Sequence, residues 1–245
     1  MAALQAQLIF GRHPIIEALQ NGQTFDRIYV QQGIHPAFIK QLRGLAEVAD
    51  VDVQTVPVEK LNRLTRQNHQ GVAGFTALIT YHEVGNIVQQ AYELGQTPLL
   101  VICDGITDVG NFGAIARTAA GAGVHGLVIT RKGSAPVNAD AIKASAGALN
   151  KLPVCRVRFI DKTIPFLQEM GLQVIAADGK AKTLLQQIDF KQPTAIIMGA
   201  EDEGVSPAHL ALCDKVFKIP MPGNFDSFNV SVATGMVLYE AIRQK

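Results

Sequence analysis

Pro98-Leu-Leu-Val-Ile-Cys103 runs directly into Asp104-Gly-Ile-Thr-Asp-Val-Gly-Asn111-Phe-Gly-Ala-Ile-Ala-Arg117, and the reading of this junction decides the fold. An unbroken apolar run of strand length gives way to a glycine-bearing turn, then to small apolar residues at helical spacing. The alternation recurs downstream. Gly126–Thr130, Lys151–Cys155, Leu172–Ala177, Thr194–Gly199 and Lys215–Ile219 are further apolar runs, each separated from the next by a helical stretch. Continuously apolar strands are buried on both faces, so the pattern predicts an α/β domain built on a parallel sheet and covering 98–245. Val232, Met236, Val237 and Tyr239 recur at helical intervals and predict a closing helix over 230–243.

Upstream, the periodicity switches more often. It predicts a helix over Ile15–Leu19, a strand over Arg27–Val30 and a helix through Phe38, Leu42, Leu45 and Ala49. A strand over Val51–Val56, a short helix over Glu59–Thr65 and a strand over Val72–Ile79 follow, giving a small α/β module within residues 1–80. Residues 81–97 are polar, contain Gly85 and Gly95 and run up to Pro98, and so read as a linker, with a linker helix over Ile87–Leu94 as the alternative. A chain of 245 residues accommodates two such cores.

Composition excludes several classes. With 48% hydrophobic and 18% charged residues the chain is not disordered as a whole. A net charge of +1 rules out a chain-wide basic balance of the kind that marks many nucleic-acid binders. Charge is nonetheless uneven, because Arg131 to Lys162 holds seven basic residues against two acidic ones. That segment predicts a local basic face. Cys103, Cys155 and Cys213 are odd in number and set in apolar runs, which suits reduced core thiols and a cytoplasmic protein. The N-terminus lacks a basic lead followed by an apolar core, and no run of about 18 apolar residues occurs, so neither secretion nor membrane spanning is expected.

Gly121-Ala-Gly123-Val-His-Gly126 matches the dinucleotide fingerprint G-x-G-x-x-G letter for letter. The order around it is reversed, with a helix before and a strand after, so no pyrophosphate would meet a helix N-terminus, and the reading is a tight helix-to-strand turn. The six histidines show no ligand spacing and predict no metal site; neither a Walker loop nor a serine-hydrolase elbow occurs.

Three glycine-rich, polar-tipped segments remain, each at the end of an apolar strand, where open α/β sheets bind ligands. The first holds Asn111, read as a helix cap, and Arg117, whose small neighbours leave it to a surface partner or a site. The second is Gly199-Ala-Glu201-Asp-Glu-Gly204-Val-Ser206-Pro207, in which Ser206 and Pro207 read as a helix cap and first turn. The third, Ile219 to Ala233, sets Ser227, Asn229 and Ser231 on alternate positions before the closing helix.

These segments resemble the three motifs of the SpoU (TrmH) family of RNA ribose 2′-O-methyltransferases, in the SPOUT superfamily. Asn111 to Arg117 matches N-x-x-x-x-x-R, Gly199 to Gly204 matches G-x-E-x-x-G, and Ile219 to Ala233 matches I-P-M-x-G…S-x-N-V-S-V-A. Ala144 to Pro153 is also similar, and Ile9-Phe-Gly-Arg-His-Pro-Ile-Ile-Glu-Ala-Leu19 resembles the ribosomal-protein-like RNA-binding domain of the branch that methylates a guanosine of large-subunit ribosomal RNA. Val109 stands where the family often has Pro, and Phe112 and Phe228 where it often has Leu.

The resemblance implies a trefoil knot in the C-terminal domain, a homodimer with active sites near the interface, and S-adenosylmethionine (SAM) held by backbone groups at Gly199, Ile219 and Phe228. It implies RNA as substrate, with Arg117 at the target nucleotide and Asn111, Glu201, Ser227 and Asn229 orienting the reactants. Arg12, His13, Arg131, Lys132 and Lys143 are the candidates for wider RNA contact. A transfer-RNA guanosine is the alternative target, and a catalytically silent RNA-binding protein the rival from another class.

Overall fold

The apolar runs form strands, although that at Lys151–Cys155 begins only at Val154 and that at Val72–Ile79 ends at Thr76. In the computed structural model, which describes residues 7–223, 225 and 227–245, the chain divides into two units. One comprises the described residues up to Thr80 with Val137–Ala139; the other is Tyr81–Pro136 with Asp140–Lys245.

The first unit runs β1 (Leu8–Phe10), α1 (Arg12–Gln20), β2 (Phe25–Gln31), α2 (Pro36–Val48), β3 (Asp52–Val56), α3 (Val58–Leu64) and β4 (Val72–Thr76). Its sheet has the order β1-β4-β2-β3, with β2 and β3 parallel and the other pairs antiparallel. Strand alternation assigns the faces: Ile28 and Val30 pack with Ile15, Leu19, Leu42 and Ala46 of α1 and α2, while Tyr29 packs with Leu61 of α3.

The second unit runs β5 (Tyr81–His82), α4 (Val84–Glu93), β6 (Leu99–Asp104), α5 (Val109–Gly121), β7 (Gly126–Thr130), α6 (Ala139–Ala144), β8 (Val154–Val157) and α7 (Ile160–Glu169). It continues with β9 (Gln173–Ala177), β10 (Thr183–Leu184), β11 (Thr194–Gly199), α8 (Pro207–Leu210), β12 (Lys215–Lys218) and α9 (Val230–Arg243). Every pairing is parallel, in the order β10-β12-β9-β11-β6-β7-β8-β5. Leu99 to Cys103 and Ala195 to Met198 are fully or almost fully buried, as a sheet covered on both faces requires.

Residues 81–97 are not a linker. They form the edge strand β5 and helix α4, whose Val84, Ile87, Val88 and Ala91 lie on one helical face and enter the core beside Leu100, Ile102 and Val128. The glycine run 121–126 is the helix-to-strand turn expected: Gly123 has φ +71°, and the Val124 and Gly123 N–H groups donate to the Ala119 and Ala120 carbonyls, which closes α5 with a Schellman motif. The three cysteines are free, and burial pushes each thiol up to about 12. Among the described residues no helix is long and apolar enough to cross a membrane.

Candidate active site

Because all strands of the large sheet run the same way, the segments after β6, β11 and β12 leave it at one edge. β11 inserts between β6 and β9 only after β7 to β10 have been laid down. The carboxyl ends of β6 and β11 therefore form a topological switch point, where doubly wound sheets open a crevice for ligand.

After β6, Asp108 caps α5: its carboxylate accepts from the Asn111 N–H at 2.7 Å. Asn111 is thus not the cap that its position suggested. It lies in the first turn of α5 with its side chain free to act elsewhere, and its amide nitrogen donates to Glu201 Oε1 at 2.9 Å. Asn229 does cap α9, its Oδ1 accepting from the Ser231 N–H at 3.0 Å and the Val232 N–H at 3.4 Å. Those backbone donors fix which end of the amide is oxygen. Asn229 Nδ2 consequently faces the other way and donates to Asn111 Oδ1 at 3.0 Å and to Glu201 Oε1. One residue from each of the three motifs meets in this cluster.

The loop that carries Glu201 is held at both ends. Gly204 N–H donates to the Ala200 carbonyl at 2.9 Å, folding residues 200–204 back over the strand end. A Cβ on Gly199 would lie 2.1 Å from Gly204 C and Val205 N, so only glycine lets the loop return this closely. Beyond it, the Asp104 carboxylate at the end of β6 accepts from the Ser206 N–H at 3.0 Å and His209 Nδ1 at 2.7 Å. Ser206 does stand at the start of α8 with Pro207 following, yet its side chain makes no capping bond. Asp104 supplies the acceptor instead. Neither Asp104 nor His209 was singled out from the sequence; a carboxylate at the carboxyl end of a parallel strand was the signal available for the first.

Arg117 and Ser227 are exposed, and their side chains form no hydrogen bond with another described residue. Six residues along α5 set Arg117 about 9 Å along the axis from Asn111, so the structure does not draw it into the cluster. It lies one turn beyond Gly113, whose missing side chain permits contact with Ala144 and Ser145: a Cβ there would be 2.4 Å from Ala144 Cβ. The family-like stretch 144–153 is seated against α5 through that glycine. Gly199, Ile219 and Phe228 are each half-buried, and Phe112 is buried in the core. Asn224 and Asp226 of the third segment lie outside the described residues.

The basic run is more dispersed than its sequence density suggests. Arg131 and Lys132 follow β7, and Lys143 is exposed in the last turn of α6. Arg156 lies over the Tyr81 ring at 4.1 Å and Arg158 over Phe159 at 5.4 Å, so two of the seven cations stack on aromatic side chains of the chain itself. Arg12 and His13 line a recess on the first unit.

Fold and site together define a two-domain α/β protein with three polar loops gathered at the switch point of a parallel sheet. Residues 98–239 match the SpoU rRNA Methylase family, and residues 8–82 match the RNA 2′-O ribose methyltransferase substrate-binding domain. The chain belongs to the SpoU rRNA methylase family of RNA methyltransferases. It is 36% identical over 238 residues to a Staphylococcus haemolyticus protein assigned to the TrmH family of tRNA/rRNA methyltransferases, covering 97% of this chain and 96% of that one. Among solved structures it resembles the SpoU methyltransferase AviRb from Streptomyces viridochromogenes in complex with AdoMet, with a TM-score of 0.62, 26% identity, and coverage of 97% and 89%. An AdoMet-bound rRNA methyltransferase from Sinorhizobium meliloti is similar, with a TM-score of 0.63, 25% identity, and coverage of 98% and 87%.

Proposed function

We propose that the protein transfers a methyl group from SAM to the ribose 2′-OH of a guanosine in large-subunit ribosomal RNA. The observation that carries this reading is the meeting of Asn111, Glu201 and Asn229, which ties the three family motifs into one hydrogen-bonded unit at the switch point.

The residues present fit SAM. Gly199 at the end of β11 and Ile219 just past β12 offer backbone groups on one edge of the sheet, half-buried Ile219 and Phe228 supply apolar flanks, and the Glu201 carboxylate gives the cluster one negative charge. When bound, SAM supplies a methyl group already activated on a sulfonium. What remains for this chain is alignment and charge management. Arg117 sits at the target nucleotide; a guanidinium stays protonated, so it stabilises the oxyanion that develops as the hydroxyl passes its proton to the adjacent phosphate, or that phosphate itself. Asn111, Glu201, Ser227 and Asn229 orient the reactants, and Arg12, His13, Arg131, Lys132 and Lys143 make the wider RNA contacts.

The active form is a homodimer in the cytoplasm, with its second domain threaded as a trefoil knot. Val232, Met236 and Tyr239, at i, i+4 and i+7 on α9, are 50%, 36% and 69% exposed, and this stripe supports pairing with a second copy of the chain. The late insertion of β11 between β6 and β9 supports the threading. The test is transfer of labelled methyl from SAM to ribosomal RNA fragments: a single guanosine acquires label, and replacing its ribose by deoxyribose abolishes incorporation. Label that survives this replacement contradicts the reading.

A further inference from the structure

A recess of about 650 Å³ on the first unit is lined by Arg12 and His13 of α1, Gln31 at the end of β2 and the turn from Asn68 to Gly71. Part of that lining is locked. Gln70 and Gly71 have φ of +50° and +80°, and Val72 N–H donates to the His69 carbonyl at 2.9 Å, a tight turn that holds a non-glycine residue in the left-handed region. His69 is nearly buried. Its Nδ1 accepts from the Gly71 N–H at 3.0 Å, which leaves Nε2 to donate to Asn62 Oδ1 at 2.9 Å. Gln70 receives the Arg12 N–H on its side chain and Arg12 Nε on its carbonyl, and the guanidinium lies over the Phe38 ring at 5.2 Å.

This frame aims groups that have no internal work. The two terminal nitrogens of Arg12, the His13 imidazole, the Gln31 side-chain amide and the Asn68 side-chain nitrogen make no hydrogen bond to a described residue, and among the described residues no carboxylate lines the recess. One fixed guanidinium, one imidazole and two neutral amides match a ligand with a single negative charge beside an edge of mixed donors and acceptors. The volume falls within the ~300–1,000 Å³ of small-ligand sites and admits one flipped-out residue rather than a duplex.

We propose that this recess binds a single unpaired nucleotide of the RNA, with its phosphate on Arg12 and His13 and its base edge on the amides of Gln31 and Asn68. RNA sequence is read chiefly on unpaired bases, whose edges are not consumed by pairing. The inference rests on the RNA-methyltransferase reading and gives the first domain a specific task within it: choosing a structural context rather than adding charge.

The test uses the full-length protein and two labelled RNA hairpins of equal length, one fully paired and one with a single unpaired internal nucleotide. Wild-type protein binds the interrupted hairpin about tenfold more tightly, a difference of ~1.4 kcal/mol. Asn68→Ala and Gln31→Ala reduce its affinity to that for the paired hairpin and leave both the paired-hairpin affinity and SAM binding unchanged. Equal affinity of the wild type for the two hairpins overturns the proposal, as does a loss in the variants that is equal for both. The methyl-transfer reading fails separately: protein that keeps the hairpin preference but neither binds SAM nor labels RNA retains the recess and loses the enzyme.

Discussion

The side-chain amide of Asn229 donates to the side-chain oxygen of Asn111 at 3.0 Å, joining residues 118 positions apart. The same amide caps α9 through its oxygen and reaches Glu201 through its nitrogen. Helix start, Glu201 loop and first motif are therefore registered by one planar group, whose orientation is set by backbone donors.

Separating the two tasks of Asn229 tests this arrangement. Asn229→Ser retains a good cap, so stability changes little, whereas Asn229→Ala forfeits about 1 kcal/mol more. Both lose the ties to Asn111 and Glu201, and calorimetry should find SAM binding weakened by about tenfold or more in each, ~1.4 kcal/mol or above. Wild-type SAM affinity in the serine variant contradicts the registration.

Gly199→Ala puts a methyl group where the backbone of Gly204 and Val205 already is. The loop must move, at a cost of about 1–3 kcal/mol in urea denaturation, and SAM binding falls with it because the displaced atoms border the crevice. An alanine variant with unchanged midpoint and affinity would show that the loop's close return is dispensable.

Much of this was legible in the residues. Apolar strand runs separated by helical spacing marked the parallel sheet, and the three polar-tipped glycine segments marked its ligand edge. Strand order was not legible, since periodicity records which residues are buried and not which strand lies beside which; the insertion of β11 between β6 and β9 is a tertiary fact. Asn favours the cap position and so Asn111 reads as one, but Asp108, three residues earlier, does the capping and releases the Asn111 side chain. A helix over Ile87–Leu94 is legible within 81–97, but the polar composition and glycines there point to a linker and hide that its face of Val84, Ile87, Val88 and Ala91 enters the core. The Asp104–His209 pair spans 105 positions, beyond the reach of any local pattern.

Stability should fall on mild acidification through His125. Burial, with a smaller contribution from Lys245, lowers its pKa below the ordinary 6.5, and its Nδ1 must stay unprotonated to accept the Leu99 N–H at 3.1 Å. Above pH ~6.5 the ring is neutral in both states and stability from this group is fully present. As pH drops below that value the unfolded chain binds the proton first, and the stability is lost as pH falls through the folded value. Urea midpoints measured from pH 7.5 to 5.5 should decline, and His125→Asn should flatten the decline; an identical slope in the variant assigns the effect elsewhere.

Arg117 is exposed, and its side chain makes no hydrogen bond to a described residue. Arg117→Ala should abolish methyl transfer while leaving SAM affinity and thermal stability close to wild type, because nothing in the fold leans on the guanidinium. Arg117→Lys keeps the charge without the fork and should restore a small part of the rate. Turnover retained by the alanine variant removes Arg117 from the reaction.

The most direct measurement is a map of ribose 2′-O-methylation across total RNA from cells with and without this protein. The account predicts that one guanosine of large-subunit ribosomal RNA loses its methyl group in the deletion strain and regains it on expression of wild-type protein but not of Arg117→Ala. An unchanged ribosomal RNA map, with or without a lost methyl group in a transfer RNA, would contradict it.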